Sequence, residues 1–245
     1  MKKTIYLTIL GIITIAGIIY GVHKHTGSSN PFKFVERPFH FNFHDADKDD
    51  FMEERGEFSD EITLDSASEI NIEVQIMDIR IEKGEENKLS YDCNRKTLTP
   101  IVNVKDGKID VTQEKPSFKF NTGNSKCMLI LTVTSEDMIK DLTIKGDICQ
   151  VVVNNLNSEN LELHNDVGNN VMKDVGVEDA TIDSDVGNIE LENVKDLDNM
   201  SVRISSDIGN IRYLGKRHAR KYRQDADSNK KLNITTDVGN IEVSK

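Results

Sequence analysis

Five aspartates recur in near-identical surroundings along the chain: Asp147, Asp166, Asp185, Asp207 and Asp237. The copies read "GDICQVVV" from Gly146, "NDVGNNVM" from Asn165, "SDVGNIEL" from Ser184, "SDIGNIRY" from Ser206 and "TDVGNIEV" from Thr236. Their steps are 19, 19, 22 and 30 residues. If each copy is one rung of a stack, the carboxylates stand about 4.8 Å apart. Such a row could bridge cations. It could also supply the carboxylate pair of a retaining glycosidase, whose members lie about 5–5.5 Å apart. Hydrolysis, however, needs two carboxyls in unlike environments, and repetition supplies the same environment each time. The sequence holds no nucleophile elbow, no HExxH and no phosphate-binding glycine loop. The chain therefore reads as a non-enzyme without a cofactor. The repeat also differs from the calcium-binding G-G-x-G-x-D nonapeptide. The plainer role of the aspartates is structural. As corner residues they would accept backbone N–H bonds in Asx turns, while Asn169, Asn188, Asn210 and Asn240 would form an amide ladder.

The elements that must position these corners follow from the apolar register. Leu142 and Ile144, Leu161 and Leu163, Ala180 and Ile182, Val202 and Ile204, and Leu232 and Ile234 precede the five aspartates at fixed offsets. Ile189 and Leu191 follow one of them with the same two-residue period. That period marks strands with one buried face. Each copy is thus a strand, a tight corner and a second strand, with Gly187, Gly209 and Gly239 where a positive φ is expected. Leu156, Val175 and Val194 extend three copies. One unit cannot bury its own apolar face, but stacked units can. The expected fold is all-β, a β-solenoid-like stack of short strand repeats. A β-sandwich of similar hairpins is the alternative.

The N-terminus adds a second expectation. Residues 4–22, "TIYLTILGIITIAGIIYGV", carry no charge, and 19 residues of helix span about 28 Å, a bilayer's hydrocarbon core. The run is long for a signal peptide and lacks an A-x-A site, which favours an uncleaved anchor over a cleaved signal. Lys2 and Lys3 outweigh Lys24, keeping the N-terminus cytoplasmic. The expected organisation is a transmembrane signal anchor over 1–22, a Phe-rich and acidic stalk over 23–61, and a β-repeat domain over 62–245, placing the protein in the cell membrane as a single-pass chain with its domain extracytoplasmic. In the stalk, His40 with His44 and the Asp45, Asp47, Asp49 spacing are incomplete metal motifs. The 245 residues carry a net charge of −11, which argues against general nucleic-acid binding. Cys93, Cys127 and Cys149 allow at most one internal disulfide, match no zinc spacing, and read as buried or incidental thiols.

The longest repeat step contains "GKRHARKYRQ", with Lys216, Arg217, Arg220, Lys221 and Arg223 and no acid among them. Insertions in repeat stacks project as loops, often on the binding face. This one offers contacts to anionic wall polymer or anionic lipid, the alternative being a solvated loop balanced by Asp225 and Asp227. An apolar N-terminal run, a Phe-rich spacer and a ladder of D-V-G-N-I-x-[LV] together resemble a bacterial adhesin-like family, a β-strand repeat domain of unknown function, over about residues 60–245. The resemblance implies a Gram-positive envelope setting and no catalytic residues. The expected function is a membrane-anchored, non-catalytic envelope binding or structural module. Its partners would be wall polymer, anionic lipid or another envelope protein. The alternative is an accessory of an envelope-stress signalling system.

Overall fold

A computed structural model describes residues 55–114, 125–134 and 139–245, all within the unit spanning Phe41–Lys245. Seventeen strands are formed, all joined in one sheet. They are β1 (Arg55–Thr63), β2 (Glu69–Lys83), β3 (Lys88–Arg95), β4 (Ile101–Lys105), β5 (Lys108–Thr112), β6 (Cys127–Val133), β7 (Ile139–Asn154), β8 (Asn157–Val167) and β9 (Asn170–Lys173). There follow β10 (Gly176–Val186), β11 (Ile189–Glu192), β12 (Ser201–Ile208), β13 (Ile211–Tyr213), β14 (Lys216–His218), β15 (Lys221–Gln224), β16 (Lys231–Val238) and β17 (Ile241–Val243).

Two arms run down the molecule on either side of the aspartate corner. In the first, β2, β7, β8, β10, β16 and β12 pair in parallel in that spatial order. In the second, the C-terminal halves of β2 and β7 continue into β9, β11, β17 and β13. Alternation sends one face of each arm inward. Ile72, Ile144, Leu163, Ile182, Ile234 and Ile204 stack in register along the first arm. Ile79, Val151, Ile189, Ile241 and Ile211 line the second. All are buried in one shared core.

The expected solenoid is corrected here. In a solenoid, chain order is stacking order. In this chain β16, the last long strand, is inserted between β10 and β12. Antiparallel strands also complete the sheet: β1–β3–β6 and β4–β5 at one end, β14 and β15 at the other. The fold is an all-β mixed sheet that bends along its corners and nearly closes into a barrel. The basic insertion is likewise not a loose loop. It forms β14, antiparallel to β13, and β15, antiparallel to β12.

The expected transmembrane helix is set aside. Residues 1–22, on which it fell, lie outside the described residues, and among those described no helix is long and apolar enough to cross a membrane. Single-pass localisation and membrane partnership through that helix are set aside with it. His40, His44 and the Asp45, Asp47, Asp49 spacing also lie outside the described residues, whereas residues 55–61 of the expected stalk belong to β1. Cys93 and Cys127, opposed in β3 and β6, form a disulfide, so the reading of these two as thiols is corrected. Cys149 is a buried free thiol, its acidity pushed down to a pKa of about 12 chiefly by burial.

Candidate functional site

The repeated corner assembles as a layered edge. Its innermost layer is polar: Asn165, Ser184, Thr236 and Ser206 are buried side by side. Three of them hydrogen-bond backbone carbonyls of the corner, while Ser184 Oγ is buried without a hydrogen-bond partner among the described residues. Asn165 Nδ2 donates to the Cys149 carbonyl (2.8 Å), Ser206 Oγ to Gly239 (2.9 Å) and Thr236 Oγ1 to Gly187 (3.4 Å). The glycines are needed for close approach more than for handedness. A Cβ on Gly187 would stand 1.7 Å from the Gly168 oxygen, one on Gly239 1.7 Å from that of Gly187, and one on Gly209 1.7 Å from that of Gly239. The positive φ expected at Gly187, Gly209 and Gly239 is absent; among these corners only Gly168 has one, 143°.

The amide ladder forms as expected, in spatial order. Asn188 Nδ2 donates to Asn169 Oδ1 (3.2 Å), Asn240 to Asn188 (3.1 Å) and Asn210 to Asn240 (3.2 Å). The order 169, 188, 240, 210 repeats the permutation of the strands. Asp147, Asp166, Asp185, Asp237 and Asp207 stand beside it in one exposed row. None makes an ion pair or a side-chain hydrogen bond among the described residues, so the expected Asx role is not what they do. Asp237 is held above the usual carboxylate range, first by burial and then by Asp185, Asp207 and Asp183. No three metal-ligating side chains among the described residues are grouped to hold an ion.

The basic segment is placed by its aromatic residues. Tyr213, buried in β13, stacks on Tyr222 of β15 with centroids 4.1 Å apart, and His218 lies against Tyr222 at 4.6 Å. Both tyrosine hydroxyls share Gln224 Oε1 as acceptor, and Gln224 Nε2 donates to the Leu197 and Met200 carbonyls. This buried side ties the cap to the core and leaves the cations outside. Lys216, Arg217, Arg220 and Lys221 are exposed without ion pairs among the described residues; Arg223 is held by Asp225 at 2.9 Å. Cross-strand register adds Arg212 opposite Arg217 and Arg203 opposite Arg223, two cations sequence reading missed. They sit in β12 and β13, just ahead of the insertion in the same repeat, and strand pairing places them opposite its cations.

Two further clusters were also hidden by register. Glu190 and Glu192 share the outer face of β11, near Lys173 and Glu242. Burial, then the hydrogen bond and charge of Glu192 and the charge of Glu242, against the pull of Lys173, push Glu190 up to about 7. On the other arm, His164 Nε2 lies 2.9 Å from Glu162 and Nδ1 3.6 Å from Asp183. The i, i+2 spacing of each pair was the available signal.

A repeat-built edge and a basic cap beside it, both carried on one mixed sheet, define an all-β repeat module. The profile of the Toastrack DUF4097 family matches residues 67–244, and the chain belongs to that family. No curated protein matches the chain. Among solved structures, a candidate cell-adhesion protein from Clostridium sporogenes is 15% identical, covering 78% of this chain and 99% of its own, with a TM-score of 0.57. A candidate adhesin from Bacteroides fragilis is 13% identical, covering 77% and 97%, with a TM-score of 0.42. The first of these supports the fold.

Proposed function

We infer that this protein is a non-catalytic binding module of the bacterial cell envelope and that its β14–β15 cap contacts phosphate-bearing anionic polymer. The observation that carries the reading is the cap itself: Lys216, Arg217, Arg220 and Lys221 are exposed and unpaired among the described residues, in a chain of net charge −11. Elsewhere on the surface the same chain matches cation to anion, as in Lys173–Glu192 at 3.0 Å and Arg212–Glu242 at 3.5 Å. Exposed pairs add little stability, so an unmatched cluster costs the fold little and raises the local concentration of an anionic ligand. The Cys93–Cys127 disulfide suits an oxidising compartment, and the adhesion role given to the Clostridium relative agrees with a surface module.

Binding of purified teichoic-type polymer, measured by sedimentation or calorimetry, should weaken steeply with salt. It should vanish when all five hairpin cations become Ser, with the melting curve unchanged. Equal binding by wild type and variant would overturn the assignment.

A further inference from the structure

Beside the aspartate row runs a second, apolar row, of which Ile76 packs against the core and three members are exposed. Ile76, Ile148, Val167, Val186, Val238 and Ile208 occupy one register position in six successive parallel strands. They lie just outside the core. Ile148 is 37% exposed, Val167 39% and Ile208 53%, and the other three are half-buried. Apolar side chains scattered singly on a surface need no explanation, but a contiguous stripe marks an interaction site. The stripe extends over five strand spacings, about 24 Å. The residue before each of the last five members is one of the unpaired corner aspartates. Each of these rungs therefore presents an apolar group and a carboxylate side by side. The row has no counter-charge within the chain among the described residues, and the pKa of Asp237 is raised first by burial and then by Asp185, Asp207 and Asp183.

We propose that this corner face docks a basic amphipathic helix of a partner protein, its apolar stripe on the Ile/Val row and its flanking Lys or Arg side chains on the aspartate row. Charge and spacing both select this occupant. The neighbouring acids are already matched within the chain, as in Glu162 with Lys145 at 3.8 Å and Asp179 with Lys231 at 3.7 Å. The five aspartates flanking the apolar stripe have no such partner among the described residues and are open to an external cation. Rungs repeat every ~4.8 Å and a helix returns to the same face every ~5.4 Å, a mismatch of about 0.6 Å per step. Same-face side chains of an extended strand lie about 6.8 Å apart and lose register by about 2 Å per step. About 18 helical residues cover the stripe. The face shares no residue with the β14–β15 cap, so this assignment stands or falls separately from polymer binding.

The test uses the full chain and two synthetic peptides of about 18 residues. One carries a Leu stripe flanked by Lys at helical spacing. The other has the same composition permuted so that Leu and Lys fall on all faces. Fluorescence anisotropy at low salt should show the patterned peptide binding at least about tenfold tighter than the permuted one, with helical circular dichroism growing on binding. Two variants check the two rows: Ile148→Ser with Val167→Ser and Ile208→Ser, and the near-isosteric Asp166→Asn with Asp185→Asn and Asp237→Asn. Each should lose about tenfold or more, and the Asn variant should lose the salt dependence as well. Three results would each overturn the proposal. The permuted peptide could bind equally well, which would leave charge alone. Both variants could retain full binding. Or the full chain could be a dimer that the Ser variant dissociates, which would assign the face to a second copy.

Discussion

At the scale of single residues, the corner glycines are the least replaceable positions in the repeat. Gly187 meets the Gly168 oxygen where a Cβ would lie 1.7 Å away, and that oxygen belongs to the backbone of the next rung. Gly187→Ala must therefore prise two rungs apart. It should destabilise by about 2–4 kcal/mol, read as a lowered denaturant midpoint, whereas Asp185→Asn next to it should change stability little. Glu190 gives a pH test. Its pKa is raised from 4.5 to about 7 by burial and by Glu192, so the folded state favours its protonated form. That contribution is fully present below pH 4.5 and is lost as pH rises through 7. Glu192 is displaced downward: burial opposes its ionisation, but Glu190 and Lys173 outweigh it. Its contribution has the opposite sign, present above pH 4.5 and lost below. Glu190→Gln should thus gain thermal stability over wild type at pH 8 and show no advantage at pH 4. Parallel melting curves across that range would refute the assignment. The glycines were visible in sequence as a repeated letter, but their reason was not: close approach between rungs depends on a neighbour 19 or more residues away.

At the scale of elements, alternation was enough to find the strands, because each has one buried face and a fixed period of two. Their turns were less legible. Asn155, Asp174 and Asn193 adopt φ of 52°, 55° and 54° at the far end of each rung, before Leu156, Val175 and Val194. These small polar residues tolerate the left-handed region. The β13–β14 turn departs from that rule. Leu214 has φ 47° and Gly215 φ 75°, the two positive values of a tight hairpin turn that favours Asn-Gly. Leu214 is also 39% exposed, so it loses little packing if replaced. Leu214→Asn should stabilise the protein by about 1 kcal/mol, raising its melting temperature without touching the cap's cations. A lower melting temperature would mean that Leu214 packs on something the isolated chain retains. The disulfide was illegible for a related reason. Cys93 and Cys127 meet only through the antiparallel register of β3 with β6, which no local pattern encodes.

At the scale of the whole molecule, stacking order could not be read because the rungs are nearly interchangeable. All carry an inward apolar pair before the corner, and four carry the same corner glycine and amide, so these four fit one another; the first has Cys149 and Gln150 instead. What sets the order is the length of the connections. The step from Asp185 to Asp207 is 22 residues, three more than the regular 19, and it carries the chain past one vacant rung position, a span of about 10 Å rather than about 5 Å. The step of 30 to Asp237 then builds β14 and β15 as an antiparallel cap and returns β16 and β17 into the vacancy. The last strands of the chain are therefore the penultimate rung of the stack, enclosed on both sides. Deleting residues 231–245 would remove Leu232, Ile234, Ile241 and Val243 from the core. It would also leave β10 and β12 each with an open edge facing a one-rung gap. In a stack built in chain order, losing the last rung is tolerated, since each repeat contacts only its neighbours. Here the truncated chain should lose its cooperative thermal transition, followed by far-ultraviolet circular dichroism, and the segment 176–224 should become open to limited proteolysis. A cooperative melt within about 5 °C of wild type, with that segment still protected, would show that β12 closes directly on β10 and that the inserted rung is dispensable.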